Sequence, residues 1–89
     1  MPLFAVICRD KPGALQTRLD TRPAHLDWLN AGGTVHMAGP LLDGGSPVGS
    51  LIVVEAKDIE AARRWADADP YAAAGLFDSV QITEWKQVI

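Results

Sequence analysis

Two short segments carry the residue types needed for proton transfer, Arg22-Pro23-Ala24-His25-Leu26 and Asp69-Pro70-Tyr71. His25 is one of only two histidines. On a wheel of about 100° per residue it shares an arc with Arg22, Leu26 and Leu29, with Trp28 at the arc's edge and Ala24, Asp27 and Ala31 opposite. An imidazole directed inward wants a hydrogen-bond partner, and it titrates near neutrality. Asp69 is the most interesting candidate. One carboxylate oxygen could cap a helical turn while the other accepts from the ring, fixing its tautomer and stabilising imidazolium. Each residue also has a sufficient local explanation. A core histidine can bond a carbonyl or a neighbour, and Asp-Pro is how many helical turns begin. Local position alone favours these simpler explanations.

The neighbouring groups are read the same way. Arg22 lies one turn before His25, where it could hold an anionic substrate or pair with a surface acid; sequence alone favours the surface pair. Tyr71 either lines the same cleft or packs. His36 reads as an exposed or interface residue. Cys8, the single cysteine, cannot form an internal disulfide and reads as a small buried hydrophobe. Two histidines without paired spacing and one cysteine give no basis for a metal site. Gly45-Ser46-Pro47-Val48-Gly49 places serine second, so it is not a nucleophile elbow. The glycine pairs match neither a phosphate loop nor a dinucleotide fingerprint. Trp28, Trp65 and Trp85 read as packing residues, since no basic residues interleave them into a stacking platform.

The elements that must position these residues follow from pattern. Leu3 to Cys8 reads as a strand, apolar on both faces, ended by the polar break Arg9-Asp10-Lys11-Pro12-Gly13. Ala14 to about Asn30 reads as a helix interrupted near Pro23: a short leading turn, a kink, then the main helix. Ala31-Gly32-Gly33 supplies a residue that tolerates a left-handed cap. Thr34 to Leu41 is a second strand, with Val35 and Met37 on one face and Thr34 and His36 on the other; Pro40 suggests an edge. Leu42 to Pro47 is a hairpin loop. Val48 to Ala56 is a third strand, again apolar on both faces. Asp58 caps a helix from Ile59 to about Ala68, Asp69-Pro70 starts a short turn closed by Gly75, and Phe77 to Trp85 is an alternating fourth strand.

The order β-α-β-β-α-β is the ferredoxin-like α+β arrangement, a four-stranded antiparallel sheet of order 4-1-3-2 with helices on one face. Strands one and three are the doubly apolar ones, as central strands should be. Two helices cover one sheet face only, so the other is expected to pack against a second copy, giving a dimer. Eighty-nine residues make one domain, 1–89. The net charge of −3, with lysines and arginines scattered, argues against a nucleic-acid partner. The longest apolar run is too short to cross a bilayer and lacks signal-peptide features. No membrane partner and a cytoplasmic location are therefore expected.

The set Arg22-Pro23-Ala24-His25-Leu26 with Leu29, Gly32, Ala38-Gly39-Pro40, Gly49, Asp69-Pro70-Tyr71 and Gly75-Leu76 resembles the YciI-like family over nearly the whole chain. The resemblance implies a dimeric ferredoxin-like fold and a His–Asp active-site pair, which it maps onto His25 and Asp69. It implies a pocket beside the sheet, with Arg22, Tyr71, Gly39 and Pro40 as substrate-binding candidates, and no organic cofactor. One related branch resembles dehydrochlorinases of chlorinated hydroxyquinones, and the fold is shared with muconolactone isomerases; fold alone does not carry function across such gaps. Two readings follow. One is a small lyase, isomerase or dehydrochlorinase moving a proton on a small anionic or phenolic substrate. The other is a non-catalytic small-molecule-binding or assembly module. Assembly beyond a dimer is left open.

Overall fold

A computed structural model describes all 89 residues. The elements, in chain order, are β1 (Leu3–Asp10), α1 (Leu15–Ala31), β2 (Val35–Asp43), β3 (Ser46–Glu55), α2 (Ile59–Asp67), α3 (Pro70–Ala73) and β4 (Phe77–Trp85). The four strands form one antiparallel sheet in the order β2-β3-β1-β4, the expected 4-1-3-2 arrangement read from the other edge. This is the ferredoxin-like α+β fold.

Alternation along β1 sorts its residues to two faces. Phe4, Val6 and Cys8 are buried together with Ile52 and Val54 of β3, Ala62 and Ala66 of α2, and Ile82 of β4. Trp28 and Leu29 of α1 pack against the same cluster, and Trp28 stacks on Trp65 of α2 with ring centroids 4.2 Å apart. The other face of β1, made by Leu3, Ala5 and Ile7, carries no helix. Gly49 pairs with Arg9 where β3 crosses β1. A Cβ at position 49 would run into the Cys8 carbonyl oxygen, so only glycine allows the approach.

Several local expectations are corrected. Helix α1 is unbroken from Leu15 to Ala31 despite Pro23 within it. Proline removes one hydrogen bond, the one to the Leu19 carbonyl. Pro23 is exposed and Leu19 is about half exposed, so water can serve that carbonyl. The turns on either side are held by inward anchors, the buried Arg18 and His25. The β2–β3 hairpin is tighter than expected: both strands run on to a two-residue turn, Gly44-Gly45. Both glycines have positive φ, 57° and 85°, the requirement of a type I′ turn. A register shift between Val35 and Met37 places them opposite Val54 and Val53 respectively. The two therefore point to opposite faces: Val35 packs on the core and Met37 lies on the helix-free side.

Other local readings match. Asp58 caps α2 by accepting from the Ala61 amide at 2.8 Å, and Gly33 and Gly75 take left-handed φ after α1 and α3. Cys8 is buried, and burial, reinforced by the charge of Asp69, pushes its thiol up to about 12. No helix is long and apolar enough to cross a membrane.

Candidate active site

A cavity of about 330 Å³ opens between α1 and the helix-facing side of β2 and β3. Helix α1 supplies Arg18, Arg22, His25 and Leu26 to one wall. The opposite wall comes from Ala38, Gly39 and Pro40 of β2 and Ser50 and Ile52 of β3. Register explains this set: Ala38 pairs with Ile52 and Pro40 with Ser50, so all four side chains share one face of the sheet. Tyr71 of α3 also reaches the cavity.

His25 and Asp69 meet. His25 Nδ1 lies 2.8 Å from Asp69 Oδ1, although the two are 44 residues apart. Both are buried, at 6% and 1% exposure. A carboxylate only accepts, so Nδ1 donates, and the neutral ring then carries its lone pair on Nε2. Nε2 has no partner within the chain, and His25 lines the cavity. Asp69 also caps α3 by accepting from the Tyr71 amide at 2.9 Å. The division of labour differs from the expected one. The same oxygen, Oδ1, receives both bonds.

Tyr71 both packs and lines the cavity. Its ring stacks on His25 with centroids 4.0 Å apart and planes 19° apart, and the Arg18 guanidinium lies 4.5 Å from its centre. Arg18 and His25 are seven residues apart, two turns of one helix face, which lets one ring touch both. Burial pushes the Tyr71 phenol above its ordinary range, with the Arg18 charge opposing the shift. Arg22 lines the cavity with no ion-pair partner, so the surface pair favoured by local sequence is absent. Gly39 and Pro40 lie on the wall. His36 stands apart, about two-fifths exposed, bonded to Glu55 at 3.2 Å; that bond holds the Glu55 carboxyl below its usual range.

Three residues of the site escaped the sequence reading. Arg18 is 4% exposed and binds Asp10 twice, Nε to Oδ2 at 2.6 Å and Nη2 to Oδ1 at 2.9 Å. Burial alone would lower its pKa, but the Asp10 bond and charge reverse this and raise it. Nη2 also donates to Ser50 Oγ at 3.0 Å. The signal for Arg18 was present: seven residues before His25, it falls on the same helix arc. The expected break at Pro23 hid it by ending the arc there.

The chain has known relatives. The YCII-related domain model matches residues 2–86. Protein YciI of Escherichia coli O6:H1 is 38% identical across 97% of this chain and 98% of its own length. An uncharacterized protein of Haemophilus influenzae is 30% identical across 96% and 97%. Among solved structures, the 5-chloro-2-hydroxyhydroquinone dehydrochlorinase TftG of Burkholderia phenoliruptrix, in complex with 2,5-dihydroxybenzoquinone, superposes with a TM-score of 0.88. It is 32% identical, covering 94% of this chain and 93% of that one. An antibiotic biosynthesis monooxygenase at 12% identity and TM-score 0.62 shares the fold. With a family model that spans all but a few terminal residues and a near-full-length relative at 38% identity, the chain belongs to the YCII-related family.

Proposed function

We propose that this protein is a small acid–base enzyme of the lyase, isomerase or dehydrochlorinase type, acting on a small phenolic or otherwise anionic ring compound. One observation carries the reading: His25 Nδ1 is held by a buried carboxylate while Nε2 has no partner and its ring faces a cavity. His25 takes a proton from the substrate through Nε2. Asp69 orients the ring and stabilises the imidazolium that forms. The substrate lies between α1 and the β2–β3 wall, its ring against Leu26, Ala38 and Pro40 and its charged group near Arg22 and Tyr71. The likeness to TftG, found with a dihydroxybenzoquinone bound, supports a ring compound of that size and polarity.

The test is a panel of chlorinated hydroxyhydroquinones and unsaturated lactones. Turnover should fall by roughly 10²–10⁴-fold in His25→Asn, the usual contribution of a general base. Unchanged turnover in that variant removes His25 from the mechanism, and binding without turnover by the native protein marks a binding module instead.

The proposal includes a homodimer. The helix-free sheet face presents Leu3, Ala5, Ile7, Met37 and Leu51, contributed by β1, β2 and β3. Met37 and Leu51 are 48% and 38% exposed in a single copy. An apolar strip of this kind is costly in water and is covered by the same face of a second copy.

A further inference from the structure

The cavity that His25 lines continues into a second one of about 350 Å³, towards the C-terminal end of α1. Leu26, Leu29 and Ala38 line both, and the second adds Asn30, Gly33 and Val35. None of these six residues is charged, whereas Arg18 and Arg22 line the first cavity. The Asn30 amide is turned back onto its own helix, donating to the Leu26 carbonyl at 2.9 Å. The two cavities therefore form one cleft with a charged compartment and an apolar one. Val35 reaches the apolar wall because β2 is bulged. Residues three apart on a regular strand face opposite sides of the sheet. The register shift between Val35 and Met37 sets Val35 opposite Val54 and Ala38 opposite Ile52, with His36 left out of the ladder. Val35 and Ala38 then both stand on the helix side, the kind of re-aiming that bulges perform beside binding sites.

We infer that the apolar compartment takes an unbranched alkyl side chain carried on the ligand ring opposite its anionic group, so that the ligand class is an alkyl-substituted phenol or ring acid. The inference rests on the placement of the ring in the acid–base reading and deepens it by naming the far substituent. A cavity of about 150 Å³ is enough for benzene, and the charged compartment alone, at about 330 Å³, already exceeds that. Arg22 has no ion-pair partner and is free to hold the anionic group. The opposite edge of the ring then meets Leu26 and Ala38, the residues both compartments share. From Leu26 to Asn30 the helix advances about 6 Å, the length of a chain of about four carbons. An amphiphile of this shape matches the cleft at both ends, charge to charge and methylene to leucine.

The probes are 4-alkylbenzoates from methyl to octyl, titrated calorimetrically into the native protein at neutral pH. Each methylene added up to butyl should tighten binding by about three- to fourfold, the transfer value of a buried CH₂, and the gain should level off where longer chains leave the cleft. Val35→Thr keeps the branched shape but puts a hydroxyl on the apolar wall. It should weaken 4-butylbenzoate by at least about fivefold and 4-methylbenzoate by less than about twofold. Val35 also packs on the core, so Asn30→Leu, at an exposed helix position, is the second variant. It lengthens the apolar wall and should tighten 4-hexylbenzoate by about threefold while leaving 4-methylbenzoate unchanged. Circular dichroism establishes that each variant is folded. Affinity independent of chain length overturns the inference, and is the result expected if a second copy of the chain covers the cleft. A gain that runs undiminished to octyl and ignores both substitutions also overturns it, as unspecific adsorption. These are equilibrium readings, so they separate the two proposals. A chain-length series altered by both substitutions, with no turnover of any panel compound, keeps the alkyl compartment and ends the base. Panel turnover that is lost in His25→Asn, beside a flat alkyl series, does the reverse.

Discussion

Arg18 and Asp10 form a buried ion pair whose side chains are 5% and 7% exposed. Such a pair adds little over an apolar substitute, but breaking it by removing one partner strands the other charge. Asp10→Ala should therefore destabilise the fold by about 3–5 kcal/mol, read by urea unfolding, with the larger loss expected because Arg18 also loses the anchor for Ser50 and Tyr71. Cys8 gives a pH signature. Its folded pKa is raised to about 12 from 9.0, first by burial and then by the charge of Asp69. A raised value means that the contribution is intact below pH 9 and is lost as the pH climbs towards 12. Native stability should fall across that window by up to about 1.4 kcal/mol per pH unit more steeply than that of Cys8→Ala, measured by denaturant midpoints. At this scale the sequence exposed some residues and hid others. His25 was legible as an inward helix residue and Asp69 as the cap before Pro70, but their pairing came only from the family resemblance. Arg18 was not, because charged residues are usually solvated and its partner Asp10 looked like a turn residue. Ser50 is a strand residue whose importance comes from a neighbour 32 positions away.

The elements were more legible than their joints. The central strands follow from apolar runs bounded by turn residues and α2 from its 3.6-residue period, whereas α1 buries Arg18 and His25 in place of an apolar stripe. The corrections fall where one residue's geometry competes with packing. Pro23 argued locally for a kink, and inward anchors on both sides overrode it. The step between Val35 and Met37 inserts a bulge that no alternation pattern could announce. Gly49 is a joint of a different kind. It lets β3 lie against β1 beside Cys8, next to the Ser50 position. Gly49→Ala should destabilise the protein by about 1–3 kcal/mol through forced displacement of the strands, visible as a lowered thermal midpoint. The same substitution at Gly39, where an added Cβ meets nothing within 4 Å, should be nearly silent by comparison.

For the molecule as a whole, the apolar strip on the helix-free face belongs to the two central strands and β2. The doubly apolar patterns of β1 and β3 already imply it. Sedimentation at micromolar concentration should give twice the chain mass. Leu51→Asp, which places a charge in the centre of the strip, should yield a folded monomer; a native monomer would refute the paired-sheet arrangement. The site itself depends on the entire fold in a further way. One oxygen of Asp69 holds both the first turn of α3 and the imidazole of α1, two segments that meet only after the β2–β3 hairpin and α2, which separate them in the chain, have folded. That atom works as a coincidence detector: a chain that is nascent, nicked or half-unfolded has no oriented imidazole, so the proposed base comes into being only with the finished molecule and vanishes with its first opening.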